Sequence, residues 1–234
     1  MIKLNIQPNP RYERKFTAHD TERALPLAHI RRHPALFRSI FEPRIINNIY
    51  LDTNNFQFYH NNKIGIAERK KIRIRWYGQT FGQIQNPKLE YKLKSSLVGD
   101  KWVFDLKSFQ LNAGFDGSQL QKIFEQSDLP QPILDDLRQV QPTLLNSYFR
   151  TYFLSANTNY RLTFDEQMKY YKIDKGLNHF MEKYQDSHDF ILELKYTPEH
   201  DHSANQITQH LPYRLNKSSK YVNGIDYISP KQNR

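Results

Sequence analysis

The sequence predicts an α+β fold in which strands close into a barrel and helices pack outside it, and three observations carry that expectation. At least five stretches alternate apolar or aromatic residues with Arg, Lys, Glu or Asp, so each reads as a strand with one apolar and one charged face. The same charged types return from strand to strand, a repetition for which an ordinary solvent-facing sheet has no use. Between about residues 105 and 142 the spacing turns helical, which marks a helical insertion in a chain that otherwise reads as one domain over 1–234. Closing the sheet turns the charged faces into a lumen. Such a lumen is costly to desolvate and persists only if its charges pair or grip a ligand.

The stretch E-R-K-K-I-R-I-R-W, residues 68–76, sets the pattern: Arg73 and Arg75, continued by Lys71 and Arg69, share one face, and Ile72, Ile74 and Trp76 the other. Earlier in the chain, R-Y-E-R-K-F (11–16) aligns Arg11, Glu13 and Lys15 on one side of a strand. Residues 20–33 have helical spacing, with Pro26 near the start where proline is tolerated. His29 and His33, four apart there, are read as solvent-exposed rather than as metal ligands, because no further ligand cluster accompanies them. Residues 45–53 read as a strand ending in a turn at Asn54 and Asn55, with Asp52 capping that turn or a helix start.

After a polar loop, L-E-Y-K-L-K (89–94) puts Glu90, Lys92 and Lys94 on one face, and Lys101 beside Trp102 begins another extended piece. Two helices are expected over 118–126 and 133–140, bounded by Pro130, Pro132 and Pro142. Then N-S-Y-F-R-T-Y-F aligns Tyr148, Arg150 and Tyr152, and Y-R-L-T-F-D aligns Arg161, Thr163 and Asp165, the two joined as a hairpin at 157–159. I-L-E-L-K-Y places Glu193 and Lys195 together, and Lys217 and Lys220 near the C-terminus are spaced as on one face of a helical turn. Trp76, Tyr77, Trp102 and Phe104 read as outer packing rather than base-stacking groups.

Thirty-four Lys and Arg against 24 Asp and Glu, a net charge of +10, imply anionic partners. The absence of cysteine excludes disulfides, thiolate metal sites and a cysteine nucleophile. No apolar run of signal-peptide or membrane-span length occurs, so a soluble, cytoplasmic protein is expected. A lumen rich in Arg and Lys with a few carboxylates suits a polyanion, with the carboxylates holding a divalent cation on the same phosphates.

Taken together, R-Y-E-R-K-F, I-R-I-R-W-Y-G, L-E-Y-K, S-Y-F-R, Y-R-L-T-F-D, L-E-L-K and K-S-S-K-Y resemble, in order and over about residues 10–226, the vacuolar transporter chaperone (VTC) polyphosphate polymerase domain, a member of the triphosphate tunnel metalloenzymes. The resemblance implies an eight-stranded antiparallel tunnel barrel and transfer of the γ-phosphoryl group of ATP to inorganic polyphosphate threaded through the lumen. It implies phosphate contacts from Lys15, Arg73, Arg75, Lys92, Arg150 and Arg161, with Lys101 also facing the tunnel and Tyr148 beside the phosphates. Glu193 resembles the family's ligand for Mn2+ or Mg2+, and Lys217, Ser219 and Lys220 resemble an element that closes on the nucleotide end. Lys195, which shares a face with Glu193, joins the substrate-binding set; Asp165, Glu13 and Glu90 are further candidate metal ligands. VTC-type domains work beside membrane proteins, which suggests a membrane-protein partner and a peripheral location. Hydrolases of the wider superfamily begin Glu-x-Glu-x-Lys, whereas Arg11 stands at the first position here, which favours the polymerase branch. A tunnel hydrolase using Glu13, Glu90, Asp165 and Glu193, and a non-catalytic polyphosphate-binding module, are the alternatives. No nucleic-acid partner is expected, since a phosphate-tracking surface avoids carboxylates on its cationic faces.

Overall fold

The computed structural model describes residues 11–18, 23–95, 98–174, 176, 178, 180, 183–186 and 189–228. In order they form β1 (Tyr12–Ala18), α1 (Ala24–Arg31), β2 (Arg38–Asp52), α2 (Gln57–Ile64), β3 (Glu68–Tyr77), β4 (Gly82–Ile84), β5 (Lys88–Ser95), β6 (Val98–Asp105) and β7 (Phe109–Leu111). There follow α3 (Gly117–Gln126), α4 (Gln131–Leu137), β8 (Gln141–Leu154), β9 (Arg161–Lys172), β10 (Lys183–Asp186), β11 (Phe190–Tyr196), α5 (Asp201–Thr208), β12 (Arg214–Leu215) and α6 (Lys220–Ile228).

Eight main strands run side by side in the order β1, β11, β9, β8, β2, β3, β5, β6, every neighbouring pair antiparallel. The sheet curls into the expected eight-stranded antiparallel barrel, with α1, α3, α4 and α5 packed outside it as expected and α6, against expectation, inside. Among the described residues no ladder joins β6 to β1. That side of the barrel is bridged by side chains, with Lys92 Nζ 3.3 Å from Glu13 Oε2. β12 adds to the outside edge of β1, β10 to β9, and β4 pairs with β7 as a separate ribbon.

Alternation explains which face went where. Ile72, Ile74 and Trp76 of β3 and Leu89 and Tyr91 of β5 point out of the barrel into a core with Leu120, Ile123 and Phe124 of α3 and Ile133 and Leu137 of α4. Each such side chain gains about 1.5–3 kcal/mol by leaving water, which favours turning the apolar faces out under the helices. A second outer cluster joins Phe16, Leu162, Phe164, Leu192 and Leu194 to Ile30 of α1 and Ala204 and Ile207 of α5. Trp102 and Phe104 pack on the first cluster as expected. Tyr77 does not; it is half exposed, at the strand end.

Several expectations need correction. Of the helix expected over 20–33, residues 20–22 lie outside the described residues, and the helix observed spans Ala24–Arg31. His33 is buried, not exposed: its Nε2 bonds the Ile207 carbonyl at 2.9 Å and its Nδ1 accepts from the Ala35 amide at 3.0 Å. Helix α2 went unforeseen because its sequence, Q-F-Y-H-N-N-K-I, has little apolar periodicity. Its start is supplied by Asp52, whose Oδ1 accepts from the amides of Thr53 and Phe58 and whose Oδ2 accepts from that of Tyr59.

The barrel interior has two halves. On β9, an extra residue at the register shift opposite Ser147 and Phe149, with Gln167 at φ 54°, changes the inward set from Arg161, Thr163 and Asp165 to Met168 and Tyr170. Below the bulge the interior is apolar and α6 packs into it. Tyr221 stacks on Tyr50 at 4.9 Å, and Tyr221 and Ile225 cluster with Leu144, Met168, Tyr170 and Ile191. A Cβ at Gly224 would lie 2.4 Å from Leu144 Cδ2 and 2.6 Å from Tyr170 Cδ1, so only glycine allows this approach.

Candidate active site

Above α6 the lumen is lined by Lys15, Lys71, Arg73, Arg75, Lys92, Arg150, Lys195 and Lys220, eight cations, against Glu13, Glu90 and Glu193, three carboxylates. Tyr50, Tyr148 and Ser219 complete the lining of a cavity of about 100 Å³. Register across the ladders puts these groups at neighbouring positions: Lys15 faces Glu193, Glu13 faces Lys195, Arg73 faces Glu90, and Lys71, Lys92 and Lys101 stand in one row across three strands.

The carboxylates divide the cations among themselves. Glu90 takes Arg73 through Nε at 2.8 Å and Nη2 at 2.6 Å, Lys101 at 2.6 Å, and Arg75 at 3.6 Å. Burial pushes the Glu90 carboxyl up, but Arg73, Arg75 and Lys101 outweigh it and hold it far below the usual range. Asp165 is fully buried, with Arg150 on its two oxygens at 2.5 and 2.6 Å and Lys220 on Oδ2 at 2.5 Å. Glu193 meets Lys195 at 2.6 Å and Arg150 at 3.9 Å; Glu13 meets Lys15 at 2.9 Å. Burial opposes ionisation of Glu193, yet Lys195, Lys15, Arg150 and Lys220 hold its pKa well down. Glu13 is held down more weakly, because burial and Glu193 itself push it up against Lys15, Lys92 and Lys195.

Surplus positive charge shows on the groups without a carboxylate of their own. Burial pushes Lys71 down to about 7, with Lys15, Lys92, Arg73 and Arg69 adding to the effect, and its Nζ donates to Ser219 Oγ at 2.9 Å. Burial pushes the Tyr148 hydroxyl up, but Arg150, Arg75 and Lys220 outweigh it and bring it below its ordinary value. A lumen that lowers the pKa of both a phenol and an amine is short of anions.

The segment before α6 closes one side of this cavity. Asn216 donates from its amide to the Lys15 carbonyl, Ser218 O accepts from Lys15 Nζ at 3.0 Å, and Ser219 accepts from Lys71.

A family model described as the VTC domain matches residues 10–229. The chain belongs to the VTC domain family. No curated protein matches it in sequence. Among solved structures, PH1819 protein from Pyrococcus horikoshii OT3 superposes with a TM-score of 0.52 at 15% identity, over 92% of this chain and 99% of that one. A Hippeastrum protein, HpAC1, described as an adenylyl cyclase with a dominant triphosphatase activity, gives 0.49 at 13% identity over 94% and 98%. An adenylate cyclase-like protein from Bacillus halodurans gives 0.49 at 14% over 92% and 96%. At such identities the likeness concerns the fold alone.

In this VTC domain the expected residues separate into groups. Lys15, Arg73, Arg75, Lys92, Arg150, Lys195, Tyr148, Ser219, Lys220, Glu13, Glu90 and Glu193 all line the lumen. Lys101 sits beside it, half exposed, on Glu90. Arg161 is exposed at the end of β9, opposite Lys195, and outside the cavity lining. Lys217 precedes α6 and is exposed, whereas Lys220 begins the helix and is drawn in, so the shared helical face expected for the pair does not form. Lys71 and Tyr50 line the cavity and were not singled out as ligands; the row Arg69, Lys71, Arg73, Arg75 in β3 already carried the signal for Lys71.

The metal candidates differ in fit. Asp165 and Glu90 are saturated by Arg and Lys and make poor ligands. Glu13 and Glu193, on neighbouring strands, are paired too, Glu13 with Lys15, Lys92 and Lys195 and Glu193 with Lys195 and Arg150, but without the close bidentate arginine that Asp165 and Glu90 hold, and they are the pair that would hold a divalent ion completed by substrate phosphates. Among the described residues no group of three or more His, Cys, Asp or Glu forms an all-protein cage.

Proposed function

We propose that this VTC domain is a phosphotransferase that lengthens inorganic polyphosphate with the γ-phosphoryl group of ATP. The observation that carries the reading is that, among the described residues, eight cations line the lumen against three carboxylates, or four with Asp165 buried against Arg150 and Lys220, most of whose oxygens are already paired. Arg73, Arg75 and Arg150 hold equatorial phosphate oxygens, and Lys15, Lys92, Lys195 and Lys220 neutralise charge along the chain. A terminal oxygen of the acceptor attacks the γ-phosphorus; its new P–O bond forms as the bond to the β,γ-bridging oxygen breaks, and ADP leaves. The acceptor is already an anion, so no general base is required. Mn2+ or Mg2+, held by Glu193 with Glu13, would supply further charge neutralisation on the phosphates. Because α6 fills the axial end of the barrel, the acceptor enters by the seam between β6 and β1, beside Lys92 of β5 and Lys101 of β6, which stand more than half exposed at 57% and 51%, and is not threaded along the axis.

The same filled end favours a second reading, a tripolyphosphate or nucleoside triphosphate hydrolase. A lumen with one axial mouth holds a triphosphate without room for a transiting chain. Incubation with ATP, manganese and a short polyphosphate primer separates the two, with products resolved on a gel beside an Arg73→Ala control. Long chains absent from the control support the synthase; free phosphate without chains supports the hydrolase. Neither product would sink both.

A further inference from the structure

At the open mouth, opposite α6, stands a group that phosphate binding does not account for. Arg44 of β2 lies with its guanidinium carbon 5.3 Å from the Phe41 ring, 5.2 Å from Tyr77 and 5.3 Å from Tyr152. Phe41 and Tyr152 meet edge to face at 5.6 Å. Residues 41 and 44 would point to opposite faces of a regular strand. Register shifts on both sides of Phe41, where β2 passes through Pro43, bring both side chains to Tyr152 on the lumen side. Phe41 and Tyr77 are each 52% exposed, an aromatic surface left open at the entrance.

The box adjoins the lumen directly. Arg44 faces Arg150 across the ladder, and the Tyr152 ring that receives Arg44 also lies 5.8 Å from the guanidinium carbon of Arg150. An inorganic phosphate chain has no π-face and gains nothing from three rings. A purine or pyrimidine stacks on aromatic and guanidinium planes alike.

We propose that Phe41, Tyr77 and Tyr152, with Arg44, form a nucleobase platform at the open mouth, so that a nucleoside triphosphate binds with its base there and its phosphates on Arg150, Arg75 and Arg73. This rests on the reading of the lumen as a triphosphate site. It also puts the nucleoside at the mouth opposite Ser219 and Lys220, the reverse of the orientation that the sequence resemblance implies.

The test is calorimetric titration of ATP and of inorganic tripolyphosphate, both with manganese, into the wild type, Tyr77→Ala and Phe41→Ala. Both positions are half exposed, and thermal melts check folding. The platform requires that ATP affinity fall about tenfold in each variant, within the range for loss of one stacked base, while tripolyphosphate affinity stays within twofold. Equal losses for the two ligands, or no loss for either, would overturn it. Binding of both ligands by the wild type without chain growth or hydrolysis would remove the proposed reaction and leave the platform standing on these affinities; binding of neither would remove both.

Discussion

Lys71 of β3 faces Lys92 of β5 directly across the ladder, and Lys92 in turn faces Lys101 of β6. Like charges at facing positions are destabilising, so this row costs stability in the empty protein and is relieved when an anion lies across it.

Titration reads that cost. Burial first, then Lys15, Lys92, Arg73 and Arg69, lower Lys71 to about 7. A bound polyanion restores the ammonium form, so above pH 7 binding takes up a proton. Tripolyphosphate affinity is expected to fall by up to about tenfold per pH unit between roughly pH 7 and 8.5, and Lys71→Met to flatten that slope. Calorimetry in buffers of different ionisation enthalpy counts the proton. Stability moves the other way: with a folded pKa below the unfolded one, the charging penalty is complete below pH 7 and is relieved as pH rises from about 7 toward 10.5. Lys71→Met should therefore raise Tm at pH 6 and lose that advantage by the top of the window.

Asp165 and Glu193 face the same lumen but are expected to fail differently. Asp165 is fully buried between Arg150 and Lys220, and Asp165→Asn leaves Lys220 without its carboxylate and Arg150 with only the longer contact to Glu193 at 3.9 Å. Removing one partner of such a buried set costs about 3–5 kcal/mol, or about 10 °C in Tm. Manganese affinity, read by electron paramagnetic resonance, should stay within twofold in that variant and drop at least tenfold in Glu193→Gln. A matching loss in Asp165→Asn would make Asp165 a ligand after all.

The inward charged faces were legible because period 2 alone decides which side chains share a face, and β1, β3, β5, β8 and β11 keep that period through the site. Legibility stopped where contacts are remote in sequence or break the period. Asp52 reads as a local cap and serves as one, yet its Oδ2 also accepts from Tyr221 OH at 2.5 Å, an anchor for α6 from 169 residues away. The bulge at Gln167 carries no turn residue that would announce it, and without it the switch from charged to apolar interior cannot be foreseen. Alternation puts Arg161 on a face with Thr163 and Asp165 and the resemblance implies a phosphate contact for it, but alternation assigns a face and says nothing about height along the barrel axis. Tyr77 was assigned outward with Trp76, although neighbours on a strand point to opposite sides.

Gly224 tests the filled end. It has no turn to make; its hydrogen in place of a methyl lets α6 lie against Leu144 and Tyr170 inside the barrel. Gly224→Ala puts a carbon where those side chains are, and overpacking of this kind costs about 1–3 kcal/mol despite alanine's better helix propensity. The Leu144 and Tyr170 side chains must shift or the helix back out, and backing out strains the Tyr221 bond to Asp52 and draws Lys220 away from Asp165. Tm should fall by several degrees, and tripolyphosphate affinity should fall with it because Lys220 and Ser219 leave the lumen. A variant as stable as the wild type, with unchanged affinity, would mean that α6 is not wedged in the barrel and that the axial route is open to a chain.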